Sequence, residues 1–196
     1  MSTSTPHPST PHTVEVRTCV SPQDDTVGAF KEFISSARAS IRITLFSFTL
    51  ENVAAILAEK ARAKIPVQLM MDRTQAGSAE SRKLIQDLEQ AGVRIQLGIS
   101  PMPAGAPPID DKRRVLHIKS TIVDEEAVWD GSWNHSKSTS AEANTANLVR
   151  DPARARWFAA FFDLLWKNMA DLEVVLVGDK LPTQTPGQAG GSSSAA

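Results

Sequence analysis

The chain has 196 residues, a length that fits one domain with tails and is sufficient to bury a hydrophobic core. Its composition is 41% hydrophobic and 22% charged, which is ordinary for a globular protein, and its formal net charge of -1 excludes a protein that coats nucleic acid through overall charge. A local basic site remains compatible with that charge. The single cysteine, Cys19, excludes an internal disulfide and fits a reducing compartment.

Both ends of the chain are predicted to be disordered tails. Residues 1–12 are rich in Ser, Thr, Pro and His, and residues 179–196 are rich in Pro, Gly, Ser and Ala. The first segment lacks the basic and apolar regions of a secretory signal, and no stretch of the chain approaches the roughly 20 apolar residues of a membrane span. We therefore expect a cytoplasmic protein without stable membrane insertion, whose folded domain covers residues 13–178.

The first half of the chain alternates predicted strands with predicted helices. Strands are predicted at 13–20, 40–48, 65–72 and 93–97, with helices starting near residues 22, 51 and 78. The first strand alternates Val14, Val16 and Val20 with other residues and is predicted to be half-buried, and Cys19 within it is predicted to be a buried small hydrophobic residue. The strand at 65–72 is almost continuously apolar, which is typical of a strand covered on both faces. This order predicts an α/β fold with a mixed, largely parallel sheet flanked by helices on both faces.

A proline-rich segment interrupts this alternation. Residues 98–108 contain four prolines and two glycines, and they predict a long loop of the kind that is often functional. The basic residues Lys112, Arg113 and Arg114 follow. They either contact a phosphodiester backbone or form a solvated face of the loop.

After this loop the pattern predicts strands at 117–123, 127–129 and 146–149, a helix at 153–169 and a short strand at 174–177. The helix is rich in tryptophan and phenylalanine, which favours packing against the core over binding to a membrane surface.

The central motif reads His-x-Lys-x4-Asp-x6-Gly-Ser-x-Asn and contains His117, Lys119, Asp124, Ser132 and Asn134. On a strand, His117 and Lys119 point to the same face, which places a nucleophile or proton carrier beside a fixed positive charge. Asp124 lies an odd number of residues from His117 and is predicted to face the other side, in a structural role. The hydroxyl and amide of Ser132 and Asn134 add hydrogen-bonding groups for a phosphate.

Three residues near the predicted site have open roles. Arg73, after the third strand, either reaches phosphate from the carboxyl edge of the sheet or is a surface cation. Trp133 is predicted to pack rather than to stack on bases, and His135 is predicted to be exposed.

The motif resembles the signature of the phospholipase D superfamily, which residues 117–134 match in full. Residues 43–49 and 61–72 are also similar to the segments that lead into the second and third strands of that family. The resemblance implies a metal-independent phosphodiesterase that needs no cofactor. In that reaction His117 attacks phosphorus to give a phosphohistidine, Lys119 and Asn134 hold the non-bridging oxygens, and Ser132 adds a hydrogen bond.

Superfamily members use two such motifs per active site, whereas this chain contains a single one. It therefore resembles the short bacterial endonucleases of the superfamily, in which two copies of the chain share one site. The resemblance implies a homodimer in which the second His117 protonates the leaving alkoxide and then deprotonates water.

The chain departs from the family pattern in one place. Nucleases of the family carry Asn-x-Glu-Asn after the motif, and the glutamate orients the histidine. Here the comparable stretch is 144–147, with Ala146 at the position of the glutamate, and Glu142 is a candidate substitute. Without a carboxylate the imidazole is less well oriented, and activity is expected to be weaker.

Three functions are compatible with these observations. Small size, a single motif and the basic loop favour a nuclease that acts on DNA or RNA. A phospholipase D-type hydrolase of phospholipid headgroups would use the same chemistry. Ala146 raises the third alternative, a catalytically weak dimer that binds nucleic acid.

Overall fold

A seven-stranded sheet organises the computed structural model, which describes residues 13–101, 107, 110, 114–170, 173–175 and 183–185. The sheet strands are β1 (Glu15–Ser21), β2 (Ile41–Leu45), β3 (Val67–Asp72), β4 (Arg94–Gly98), β5 (Ser120–Val123), β6 (Ala127–Gly131) and β7 (Asn144–Arg150). The helices are α1 (Thr26–Ser35), α2 (Glu51–Arg62), α3 (Ala79–Gln90) and α4 (Pro152–Ala170). Short 3-10 turns lie at Gln75–Gly77 and Lys137–Ala141.

The strand order is β1-β7-β6-β5-β2-β3-β4, and the sheet is mixed. The mixed α/β class is confirmed, but its description as largely parallel needs correction. Neighbours are parallel only in the β2-β3 and β3-β4 pairs, and the other four pairs are antiparallel. The physical reason is the length of the connections. A turn of three residues, 124–126, joins β5 to β6, and so short a turn can only join antiparallel strands.

Helices cover both faces of the sheet, as predicted. One buried cluster joins α1, α2 and α3 to one face, and a second joins α4 to the other. In β3, Leu69 belongs to the first cluster and the adjacent Met70 to the second. This alternation explains why the sequence of this strand is almost continuously apolar.

The first strand is half-buried and Cys19 is buried, as predicted, but the alternating valines lie on the exposed face. Val16 is 57% exposed, and Val14 and Val20 are exposed as well, whereas Cys19 on the opposite face is buried. The reason is that β1 lies at the edge of the sheet. Helix α1 packs on the Cys19 face, but α4 packs against β2, β4, β5 and β6 and so leaves the valine face of β1 open.

The predicted tails fall largely outside the described residues. Residues 1–12 lie outside them entirely. Within 179–196 the structure describes Thr183–Thr185 (β9), which pairs antiparallel with Glu173–Val175 (β8), a pairing that the composition does not predict. Within the described ranges, every helix is too short or too polar to cross a bilayer.

Candidate active site

The motif residues lie along the edge of the sheet that is formed by the ends of its strands, which is distinct from the lateral edge at β1. Strands β2 and β3 end at this edge, and the antiparallel strand β5 begins there. Ser120, the first residue of β5, is paired with Thr44 on one side and with Asp130 on the other. Lys119 therefore lies beside the end of β2 and the end of β6. The carboxyl ends of parallel strands are where α/β folds commonly bind ligands.

His117 and Lys119 precede β5 instead of belonging to it, which corrects the prediction of a strand from residue 117. Residues 114–119 have no regular secondary structure. One cause is that the Leu116 N–H donates to the carboxylate of Asp72 (2.7 Å), so it is not available to a neighbouring strand.

The side chains of His117 and Lys119 both contact the aromatic ring of Phe46. The His117 ring meets it edge-on at a centroid distance of 4.7 Å, and Lys119 Nζ lies 5.3 Å from its centroid. Both side chains therefore contact the same ring, and because neither residue belongs to a strand, strand alternation does not place them there.

The two motif side chains differ sharply in exposure. His117 is exposed, whereas Lys119 is only 6% exposed and donates a hydrogen bond from Nζ to the carbonyl oxygen of His117 (2.8 Å). Burial lowers the pKa of Lys119 to about 8. In the described part of the chain, no carboxylate forms an ion pair with this ammonium. The site thus holds a buried cation beside an open imidazole.

The pKa of His117 lies below its ordinary value. Partial desolvation of the ring is the largest cause, and the positive charge of Lys119 lowers the pKa further. The negative charge of Asp72 acts in the opposite direction. At neutral pH most of the imidazole is therefore uncharged, which is the form that can act as a nucleophile.

Ser132 lies directly after β6 and is fixed by β7. Its N–H donates to the carbonyl oxygen of Thr145 (2.9 Å), and its hydroxyl accepts from the Thr145 N–H (3.1 Å). Gly131 precedes it with a φ of +149°, and a Cβ there would collide with the same carbonyl. Glycine is therefore required where the chain leaves the sheet toward the site.

Asn134 is held beside the same edge. Its neighbour His135 forms a parallel bridge with Phe48, so Asn134 runs alongside the segment that contains Phe46. The Asn134 Oδ1 atom is buried and has no hydrogen-bond partner among the described residues. The structure thus places Asn134, Lys119 and His117 at one edge of the sheet, with Ser132 next to them.

Asp124 lies at the far end of β5 and does not join this group. Its carboxylate accepts the backbone N–H groups of Arg38 (2.9 Å), Ala39 (2.7 Å) and Ser40 (2.8 Å). These bonds fasten the connection between α1 and β2 to the β5-β6 turn. The contacts are those of a structural residue, as predicted.

Glu142 does not reach the motif histidine. Its carboxylate accepts from the Ser138 hydroxyl (2.6 Å) and from the Asn144 amide (3.2 Å). Ala146 is fully buried opposite Gly131. Within the part of the chain that the structure describes, no carboxylate forms a hydrogen bond with the His117 ring.

Of the cationic candidates, the structure describes Arg73 and Arg114. Arg73 follows β3 directly, is half-buried, and donates its backbone N–H to the carbonyl of Gly98 (2.9 Å). The Arg114 guanidinium donates twice to the carbonyl of Ser100, at 2.9 and 2.6 Å, and so ties the two ends of the proline-rich loop together. Lys112 and Arg113 lie outside the described residues.

Asp72 is a component of the site that the sequence analysis missed. It is 0% exposed and accepts from the N–H of Leu116, from the N–H of Thr74 (2.9 Å) and from the Thr74 hydroxyl. One signal could have identified it. An acidic residue that ends a continuously apolar, buried strand needs local hydrogen-bond donors.

The prediction for His135 is wrong, because its side chain is 1% exposed. The ring packs against Phe30 (4.3 Å between centroids), Trp133 (4.5 Å) and Phe48 (6.3 Å). Burial lowers its pKa to about 3. Trp133 is itself buried, so its predicted packing role is confirmed. In the described ranges, no three or more His, Cys, Asp or Glu side chains cluster closely enough to hold a metal ion.

Comparisons with known proteins agree with this geometry. Residues 30–166 match the family model described as cardiolipin synthase, PLD-like domain. The chain is 22% identical over 142 residues to a mitochondrial cardiolipin hydrolase from Chlamydomonas reinhardtii. That alignment covers 72% of this chain but 57% of the relative, so the chain spans little more than half of the relative's length.

Two solved structures share the fold over nearly their whole length. Nuc from Salmonella typhimurium, a phospholipase D family member, superposes on this chain with a TM-score of 0.69 at 22% sequence identity. The superposition covers 80% of this chain and 96% of Nuc. NucT from Helicobacter pylori gives a TM-score of 0.70 at 20% identity, with coverages of 80% and 98%. At these identities the similarity establishes the fold.

Proposed function

The chain belongs to the family of phospholipase D-like domains, and from that premise we propose that it is a metal-independent phosphodiesterase that acts on nucleic acid as a homodimer. His117 is the nucleophile, and Lys119 and Asn134 bind the phosphate. Ser132 supports the turn that carries Asn134. Arg73, at the carboxyl end of β3, is a further candidate for phosphate contact.

The observation that carries this proposal is the buried ammonium of Lys119 beside the open imidazole of His117. Burying a cation without a carboxylate is costly, and the cost is offset when an anionic ligand arrives. The Lys119 hydrogen bond to a carbonyl satisfies one donor and leaves the positive charge uncompensated. A phosphodiester supplies one negative charge and places an electrophilic phosphorus next to the imidazole.

The reaction takes two displacement steps. A neutral His117 nitrogen attacks phosphorus, a P–N bond forms, and the P–O bond to the leaving alkoxide breaks. A protonated second imidazole gives its proton to that alkoxide. The same imidazole then takes a proton from water, the resulting hydroxide attacks phosphorus, and the P–N bond breaks. Lys119 and the Asn134 amide stabilise the non-bridging oxygens in both steps.

In this proposal the second imidazole comes from another copy of the chain. The only other histidine within the described residues is His135, which is buried with a pKa of about 3 and so cannot serve as the acid. The exposure of His117 supports a two-fold arrangement in which each copy contributes this residue.

The open position of His117 favours a polymeric substrate, because a sheet edge open to solvent can accept a continuous nucleic-acid backbone. The basic residues 112–114, close to the motif in sequence, add charge suited to neighbouring phosphates.

A phospholipid substrate is the second candidate, and one observation favours it. On α4, Trp157 is 63% exposed and Leu164 is also exposed, with Arg156 on the same helix. Such a surface can rest on an anionic bilayer.

The test uses the full chain with EDTA on single-stranded DNA, double-stranded DNA, RNA, and vesicles of cardiolipin or phosphatidylcholine. We expect the wild type to cleave nucleic acid in the presence of EDTA. The His117→Ala variant should lose this activity, whereas His12→Ala, the matched histidine control, should retain it. Headgroup release without nucleic-acid cleavage would establish the lipid function instead. Binding of nucleic acid without turnover of any substrate would contradict catalysis and support the weak binding dimer.

A further inference from the structure

We propose that Asp72 is the positioning residue for His117, taking the place of the carboxylate that the chain lacks at Ala146. This inference rests on the proposed function, since it names the residue that orients the nucleophile. Asp72 acts through the backbone of the preceding residue, Leu116, and through its charge.

The geometry begins with the segment that carries His117. Residues 114–119 have no regular secondary structure, so no ladder of backbone hydrogen bonds fixes the histidine. Asp72 Oδ2 accepts the N–H of Leu116 at 2.7 Å, and the Leu116 side chain is buried in the cluster under α4. The residue next to His117 is thus held from both its backbone and its side chain.

The other carboxylate oxygen is held just as firmly. Asp72 Oδ1 accepts both the N–H of Thr74 (2.9 Å) and the Thr74 hydroxyl. These bonds fix the rotamer of Asp72 at the last residue of β3, an inner strand of the sheet between β2 and β4. Leu116, and with it His117, is therefore held in position relative to strand β3.

The charge of Asp72 has a second effect. The carboxylate is 0% exposed and, among the described residues, has no cationic side chain as an ion-pair partner. Its negative charge raises the pKa of His117, against desolvation and against the charge of Lys119. A buried carboxylate is costly to keep, and at the imidazole its charge acts in the opposite direction to the charge of Lys119.

Asp72 lies on a different strand from the position at which the family carries its glutamate. A glutamate at residue 146 would come from β7, opposite Gly131, whereas Asp72 comes from β3 on the other side of β5. The support therefore reaches His117 from the other flank of the site.

The test is a proton NMR titration of the His117 ring in the wild type, in Asp72→Asn and in Asp87→Asn. The chain has 4 histidines, and loss of one signal in His117→Ala assigns the resonance. Asp72→Asn should lower the pKa of His117 by on the order of half a pH unit. Asp87→Asn, which changes an exposed carboxylate paired with Lys83, should leave it unchanged.

Kinetics supply the second readout. Asp72→Asn should lower kcat about tenfold with little change in KM, and should move the pH optimum to lower pH. An unchanged pKa of His117 together with an unchanged pH optimum would overturn the proposal. The titration needs no turnover, so it separates failure of this inference from failure of the proposed activity.

Thr74→Val covers the case in which Asp72→Asn does not fold. Thr74 is exposed, and the change releases one hydrogen bond from the same carboxylate. We expect kcat to fall about threefold or more at unchanged KM, with the circular dichroism spectrum retained. A wild-type kcat in Thr74→Val would contradict the positioning role.

Discussion

At the scale of single residues, the site combines two opposite environments within a few ångströms of the Phe46 ring. Lys119 is buried and bound to a carbonyl, while His117 is open to solvent. The motif predicts which residues carry the chemistry. The end of the apolar strand β3 draws attention to Asp72, but its contact with the segment that carries His117 depends on a hydrogen bond across 44 residues of chain, which no local pattern predicts.

The buried ammonium predicts a pH dependence of anion binding. Burial lowers the pKa of Lys119 to about 8, so in the free protein the cation is present below this pH and is lost above it. The affinity for inorganic phosphate should therefore weaken as the pH rises from 7 to 9.5, as measured by calorimetry. Lys119→Arg keeps its charge and should remove this dependence, while Lys83→Ala should retain it. A flat affinity in the wild type would contradict this reading.

The buried His135 predicts an acid-sensitive fold. Its pKa is about 3 in the folded protein and near 6.5 in the unfolded chain, so between these values the unfolded chain binds a proton that the folded protein does not. The free energy of unfolding should therefore fall as the pH drops from 6.5, by up to about 1.4 kcal/mol per pH unit.

Urea denaturation between pH 7 and pH 4 tests this prediction. His135→Phe should remove that part of the slope and should be at least as stable at pH 7, because both ring nitrogens lack hydrogen-bond partners among the described residues. Equal slopes for the variant and the wild type would show that His135 does not titrate on unfolding.

At the scale of elements, the sequence predicts the helices and most strands because their periodicity is local. It fails where the outcome depends on neighbours distant in the chain. Alternation in β1 marks two faces, but only the position of α4 decides that the valine face stays open. His135 looks polar and exposed in sequence, yet Phe30 and Phe48, which enclose it, come from the first quarter of the chain.

Asp124 predicts a stability effect that is separate from catalysis. Asp124→Ala removes the acceptor for three backbone N–H groups between α1 and β2 and should lower the free energy of unfolding by about 2–4 kcal/mol. The activity per folded molecule should stay unchanged. Glu125→Ala is the matched control, because its partly exposed ion pair with Arg42 should contribute less than about 1 kcal/mol. Similar losses for both variants would contradict the structural assignment of Asp124.

At the scale of the whole molecule, the proposed reaction assigns half of its chemistry to each of two chains. Among the described residues His117 is the one exposed imidazole, and the proposed reaction needs a nucleophile and a proton donor at the same time. His117 lies open to solvent just before β5, where a second copy could present its own histidine. The sequence predicts this requirement by counting motifs, but the surface of contact depends on both copies and is not encoded in any local pattern.

Trapping the covalent intermediate tests the shared site most directly. During a single turnover of the substrate that the protein cleaves, the reaction is quenched in alkali, which preserves a phosphohistidine, and the chains are weighed by mass spectrometry. The account predicts an adduct on His117 in no more than half of the chains, because one of the two histidines acts as the acid. An adduct on nearly every chain, or on a residue other than His117, would contradict it.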